Sequence, residues 1–206
     1  MQIDPNLHSS ADGYKLLTNL VVPRPIAWVS SQSPDGVINL APFSFFNAIG
    51  SDPLYIIISV GQRDNGEDKD TAINILASRE FVVNMVTEEL FGAMNISAAD
   101  FPAGESELEA AQLKTAPSVR IKVPRVAEAQ ASLECKLFSS QVLGSHTLII
   151  GEVVMFHVAD HLMGEHLHVN NFAPIGRLGS PSVYCRTTDR FDVTRISYEQ
   201  WHKDNS

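Results

Sequence analysis

The chain has 206 residues, 44% hydrophobic and 19% charged, with a formal net charge of −9, the size and make-up of a single globular domain, 1–206, that buries a core without a metal or disulfide. The excess of carboxylates repels phosphate backbones and anionic membranes unless a local basic patch reverses the field, so neither nucleic acid nor membrane is expected as a partner. Two cysteines, Cys135 and Cys185, in no CxxC or CxxH spacing give no support to a disulfide scaffold or a zinc knuckle. The first residues lack the basic and apolar regions of a signal peptide, and no apolar run approaches a membrane span. A cytoplasmic protein with reduced thiols is expected.

Within the first 20 residues, Tyr14, Leu16, Leu17 and Leu20 suggest a short leading helix. The run VVPRP at 21–25 forces extended backbone, because proline excludes the helical region for the residue before it. Residues 26–32 (IAWVSSQ) read as a strand, SPDG at 33–36 as a tight turn, and 37–41 as the antiparallel return. The segment 42–48 is apolar without a helical period, and 54–60 (LYIIISV) reads as a core strand covered on both faces.

After a polar loop at 61–68, residues 70–79 read as a helix with Asp70 as its N-cap and Ala72, Ile73 and Leu76 on one face. Strand character resumes at 81–86. Between 87 and 117 the pattern predicts one or two short surface helices anchored by Phe91, Met94 and Leu108, with Glu88, Glu89, Asp100, Glu105, Glu107 and Glu109 as a solvated face. Residues 131–139 and 146–158 read as neighbouring strands separated at Gly144, 182–185 as a last strand, and 198–202 as a helical turn. Several strands with two helical excursions and no regular alternation predict a mostly β, α+β domain: an antiparallel barrel with a few peripheral helices.

Common catalytic signatures are missing. No GxGxxG supports a doubly wound nicotinamide site. GQRDNG at 61–66 has P-loop glycine spacing, but Glu67 and Asp68 follow it and would repel phosphates, so it reads as a turn. No GxSxG elbow occurs. His157, His161, His166 and His168 lie close in sequence without metal-ligand spacing and read as surface or hydrogen-bonded histidines; His146 reads as a strand-edge residue. Lys69-Asp70-Thr71 carries two readings. The first amides of a helix are unpaired, so a lysine outside and a threonine hydroxyl inside can hold a phosphate. On the residues alone, Asp70 would rather satisfy those amides itself, beside a solvated lysine, than share them with an anion. Phe43, Phe45 and Phe46 serve either a flavin-sized slot or plain core, and Arg24, Arg63 and Lys69 could form a local positive patch.

The runs PRPIAWVSS at 23–31, GVINLAPFSFF at 36–46, KDTAINI at 69–75 and FVVN at 81–84, in that order, resemble the flavin reductase-like family, which includes flavoredoxin-type proteins and the reductase components of two-component monooxygenases. The similarity continues through LEC at 133–135, GEV at 151–153 and PIGRLG at 174–179, from about Val21 to Tyr184. It departs at Ser180, where a second glycine is frequent.

The resemblance implies an FMN-binding split barrel that works as a homodimer, with the flavin at or near the dimer interface. Ser30 and Ser31 on the first strand, with Lys69 and Thr71 at the helix start, would surround the ribityl phosphate. The segment from Asn39 through Ala41 to Asn47 would run along the isoalloxazine ring, Ser44 and Phe45 contributing backbone contacts and Asn47 its amide. Arg177 would complete the wall. Trp28 is counted with these contacts, although a tryptophan in that strand more often packs than stacks on a ligand.

The implied activity is NAD(P)H-dependent reduction of FMN, with electrons passed to a free flavin, oxygen or a partner monooxygenase. Hydride can pass directly between stacked rings, so no side chain is assigned as acid or base. The alternative is an FMN-binding carrier or sensor without turnover. A barrel hydrolase ranks last, because no nucleophile constellation is visible.

Overall fold

Helix α1 (Ser10–Leu20) begins at Ser9, whose hydroxyl accepts from the Asp12 amide at 3.2 Å, as a serine cap does. A short strand β1 (Arg24–Pro25) leads into β2 (Ala27–Gln32) and its antiparallel return β3 (Ile38–Phe43), then β4 (Phe46–Ser51) and β5 (Leu54–Gly61). Helix α2 (Asp70–Ser78) connects to β6 (Glu80–Met85), followed by the short helices α3 (Phe91–Ile96) and α4 (Glu107–Ala110). A small pair, β7 (Thr115–Ala116) and β8 (Arg125–Val126), precedes the long ribbon β9 (Ala131–Leu143) and β10 (His146–Val158). That ribbon turns at Gly144, where φ is 58°, a conformation glycine adopts without penalty. Strands β11 (Gly176–Arg177) and β12 (Tyr184–Cys185) and helix α5 (Tyr198–Asp204) complete the chain. The computed structural model describes all residues except 103, 104, 180 and 206, so the departure at Ser180 lies outside the described residues.

Seven strands form one antiparallel sheet in the order β3-β2-β6-β9-β10-β5-β4. It curls until β3 touches β5, and the result is a mostly β split barrel with peripheral helices. Inside it lie Val29, Ile56, Ile58, Ile75, Phe81, Val83 and Ile149, none more than 5% exposed. The other face of β2 is also covered: Trp28 and Leu40 pack with Met94 of α3, Leu108 of α4 and Val126 of β8. The Phe81 ring reaches from β6 past β9 to Gly151 of β10, where a Cβ would lie 2.4 Å from its Cζ.

Two local expectations need correction. Strand β5 is covered on one face only: Ile56, Ile58 and Val60 are buried while Tyr55, Ile57 and Ser59 are half-exposed. In α2 the N-cap is Lys69, and the buried face carries Thr71, Ala72, Asn74 and Ile75, leaving Ile73 and Leu76 exposed. The physical reason is a polar floor beneath the helix, where Asn74 Nδ2 donates to Ser31 Oγ at 3.3 Å.

Glu134 of β9 is fully buried. Its carboxylate accepts from the amides of Val119 and Arg120, both at 2.7 Å, and meets His157 Nε2 at 2.6 Å. Burial pushes its carboxyl up, but the His157 bond and the two amides outweigh that and hold it below the usual glutamate range.

The chain presents 13017 Å² of surface, against about 9,500 Å² expected for a folded monomer of this mass. Tyr14, Leu17 and Leu20 of α1, and Phe191, Val193, Ile196 and Trp201 near the C-terminus, are all more than half exposed. Among the described residues no helix is long and apolar enough to cross a membrane.

Candidate functional site

Residues 39–47 pass two neighbouring cavities, and the first opens at the start of α2. The preceding loop closes through a bridge between Gln62 and Asp68 and delivers Lys69 as an N-cap in extended conformation with no side-chain hydrogen bond to the helix. Asp70 does not cap either, because Arg63 holds its carboxylate at 2.7 Å. The helix end thus keeps its partial positive charge facing the cavity. Asn39, Ala41, Lys69 and Thr71 line this cavity of about 70 Å³ together with Arg63, Asp100 and Glu107. Lys69 Nζ lies 3.8 Å from the Asp100 carboxylate.

Glu107 overturns its reading as part of a solvated face. It is 6% exposed, because α4 packs against β3, and its Oε2 accepts from the Leu40 amide at 2.8 Å. Burial pushes its carboxyl above the usual range, with the Leu40 amide opposing. Between Glu107 and Thr71 stands the Asn39 carboxamide. The orientation that satisfies its neighbours has the nitrogen donating to Glu107 Oε1 at 3.2 Å and the oxygen accepting from Thr71 Oγ1 at 2.9 Å and from the Leu40 amide at 3.3 Å; a turned amide would instead offer its nitrogen to Thr71 Oγ1 at 2.9 Å. The one sequence signal for this role is Leu108, since a neighbour of a buried anchor on a short helix is drawn inward with it.

Three further sequence candidates are buried and do not line the cavity. Trp28, Ser30 and Ser31 are each at most 1% exposed. The Trp28 indole donates to Ser97 Oγ at 2.8 Å, Ser30 Oγ donates to the Pro124 carbonyl at 2.7 Å, and Ser31 Oγ accepts from Asn74. Ser97 itself lines the cavity, so Trp28 reaches it through one hydrogen bond.

The second cavity, about 260 Å³, is lined by Ser44, Phe45 and Asn47 with Leu17, Val21 and Arg24. Arg24 is 6% exposed, and its guanidinium donates to the carbonyls of Thr18 at 2.6 Å and of Val21 and Leu178 at 2.7 Å. It is therefore a tie between α1, β1 and the residue after β11, and it lines the second cavity, not the first. The Phe45 ring stacks on His146 with centroids 6.0 Å apart and 23° between planes, and Tyr14 lies 6.3 Å away on the same ring. Gly61 makes room for that histidine: a Cβ there would sit 3.3 Å from His146 Nε2.

Arg177 is brought near this region only through strand pairing, opposite Arg24. Its guanidinium lies 4.6 Å over the Tyr184 ring, donates to the Tyr184 hydroxyl, and donates to the Pro181 carbonyl at 2.6 Å. Among the described residues no group of three His, Cys, Asp or Glu side chains could hold a metal ion.

The donor set of the first cavity fits a compact anion: a helix start without a side-chain cap, an ammonium, a guanidinium and a hydroxyl. The second offers aromatic and apolar walls suited to a flat ring.

A family profile described as flavin reductase like domain matches residues 19–199. A relative from Aquifex aeolicus is 47% identical over 168 residues, 81% of this chain and 86% of its own. Among solved structures, nitrilotriacetate monooxygenase component B from Bacillus cereus superposes with a TM-score of 0.89 at 39% identity, covering 94% of this chain and 98% of that one. The 2-nitrobenzoate 2-nitroreductase NbaA of Pseudomonas fluorescens gives a TM-score of 0.88 at 38% identity, covering 96% and 98%.

Proposed function

The chain belongs to the flavin reductase-like domain family, and on that premise we propose that it binds FMN and serves as an NAD(P)H-dependent flavin oxidoreductase. The observation that carries this reading is the side-chain-uncapped start of α2, which opens with Lys69 and Thr71 onto a compact cavity beside residues 39–47. Lys69, Thr71 and the first amides of α2 hold the phosphate end, and Arg63 adds positive charge. Ser44, Phe45 and Asn47 flank the ring, with His146 buttressing Phe45. Ser30, Ser31 and Trp28 fix the wall behind these contacts, and Arg177 shapes the neighbouring loop. Bound FMN supplies the redox chemistry, accepting hydride from NADH or NADPH and passing electrons on.

Two destinations for those electrons are supported by relatives of equal similarity. One is an oxygenase partner, as the name of component B indicates for that protein; the other is a nitroaromatic, as the name of the nitroreductase indicates. NADH oxidation with free flavin and oxygen, compared with direct consumption of 2-nitrobenzoate, separates them. A second copy of the chain is the expected partner, because the excess surface and the apolar residues of α1 and the C-terminal segment call for cover. Sedimentation should give a dimer.

Lys69→Ala tests the phosphate assignment. A hydrogen bond to a charged group contributes about 1.5–3 kcal/mol, so the FMN dissociation constant should rise roughly 10- to 150-fold while that of riboflavin changes little. Equal loss for both ligands would reassign Lys69 to supporting the fold.

A further inference from the structure

The Asn39 carboxamide stands between a buried carboxylate and a hydroxyl on the cavity wall, and its two orientations have different chemical requirements. With its nitrogen toward Glu107 Oε1, the carboxylate is served as an ion, and the oxygen takes the Thr71 proton at 2.9 Å. The Thr71 hydroxyl is then spent as a donor and can only accept from a ligand. With the amide turned, its nitrogen donates to Thr71 Oγ1 at 2.9 Å, which frees the hydroxyl proton for the cavity. That orientation sets an amide oxygen against Glu107 Oε1, two acceptors in contact, which a proton donated by Glu107 resolves; it also brings the amide nitrogen 3.3 Å from the Leu40 nitrogen, whose hydrogen stays with Glu107 Oε2.

We infer that an anion entering this cavity draws one proton from solvent onto Glu107, and that Asn39 relays the change by turning its amide so that Thr71 donates to the anion. The inference rests on the proposed phosphate site and adds to it a proton-linked preference. Glu107 and Asn39 act as positioning residues, through Thr71. The Leu40 amide, at 2.8 Å from Oε2, stays paired in both states and holds the carboxyl in place while Oε1 changes role.

Charges of both signs surround the carboxyl. From the start of α2 and the loop before it, Asp70 disfavours an ionised Glu107 and Arg63 favours it, while Lys69 and Asp100 complete the charged rim. Burial already pushes the Glu107 carboxyl up, and an arriving phosphate dianion adds like charge that pushes it further.

Calorimetric titration with FMN and with riboflavin, each in two buffers of different ionisation enthalpy, counts the protons taken up. At pH 7.5, where a phosphate monoester with a second pKa of about 6 is already a dianion, FMN should bind with uptake approaching one proton and riboflavin with none. Between pH 7 and 8 the FMN dissociation constant should rise with pH, by up to about tenfold per unit for one linked proton. In Glu107→Gln, which keeps an acceptor for Leu40, the uptake should vanish and the profile should flatten. Thr71→Val, which removes the far end of the relay, should weaken FMN and diminish the proton uptake; undiminished uptake would mean that charge alone drives it and would overturn the relay. This keeps the test open even where the Glu107 variant fails to fold. FMN binding without proton uptake, or equal uptake in wild type and Glu107→Gln, overturns the relay alone; no FMN binding at all overturns the phosphate site and the relay with it.

Discussion

On the β9 face Glu134 accepts two backbone amides and a histidine nitrogen, whereas beside the α2 cavity Glu107, nearly as far from solvent, accepts one amide and the nitrogen of an asparagine that can turn away. Burial pushes both carboxyls up. Only Glu134 has enough fixed donors to reverse the sign, so its titration is lowered and that of Glu107 raised. The contrast teaches that burial alone does not decide what a carboxylate is for. Saturated with donors, Glu134 is an anchor that fastens the 119–120 backbone to β9. Undersupplied, Glu107 keeps the capacity to change state.

The largest effect expected from breaking this contrast is on stability. Glu134→Ala leaves two amides and His157 without their acceptor, and removing one partner of a buried pair typically costs about 3–5 kcal/mol. Urea unfolding measures it, and a loss below about 1 kcal/mol would mean that water replaces the carboxylate. A smaller effect, opposite in direction at the two sites, comes from pH. Glu134 titrates lower in the folded chain than its ordinary 4.5, so its stabilisation is complete above that value and is lost as pH falls through the folded value. Glu107 titrates above 4.5, so its contribution is complete below that value and is lost as pH rises toward the folded one.

The gap between wild type and Glu134→Gln should therefore close on acidification. Glu107→Gln should instead gain on wild type as pH rises. Parallel curves for the two variants would erase the distinction. The smallest effect belongs to an exposed carboxylate: Glu88, bonded to Arg186, titrates below its usual range because of that hydrogen bond. Arg186→Ala should move the Glu88 titration back toward the ordinary value by NMR while leaving the unfolding midpoint unchanged, as exposed ion pairs contribute little.

The barrel itself was legible because its strands obey local rules. β2, β6, β9 and β10 follow runs of branched and aromatic residues bounded by turn signals, close to the expected bounds. Strand β4 was not legible: from Asn47 onward it is exposed, with a register shift near Gly50, so no alternation marks it. In α2 the pattern of Ile73 and Leu76 pointed outward in the event, because the inner face meets Ser31 and Asn39 and selects Thr71 and Asn74.

For the candidate site, the sequence marks Lys69, Thr71, Asn39 and Ala41, which lie on one cavity, and Ser44, Phe45 and Asn47, which lie on the next. Glu107 reads as surface in the sequence because its partner Leu40 lies 67 residues away, and such a bond leaves no trace in local composition. His146 reads as a strand-edge residue and begins β10, but its stacking on Phe45 depends on the antiparallel pairing of Gly61 with His146.

That same pairing of β5, β10 and β9 leaves Gly151 facing Phe81, with Cζ 2.4 Å and Cε1 2.9 Å from where a Cβ would stand. Neither position is free to drift alone during descent. A lineage that acquires alanine at 151 must first, or at once, shrink the ring at 81, and one that loses the ring gains a void that a methyl at 151 then fills. The two sites should behave as a single inherited character, and Gly151→Ala should be tolerated far better on a Phe81→Leu background than on its own.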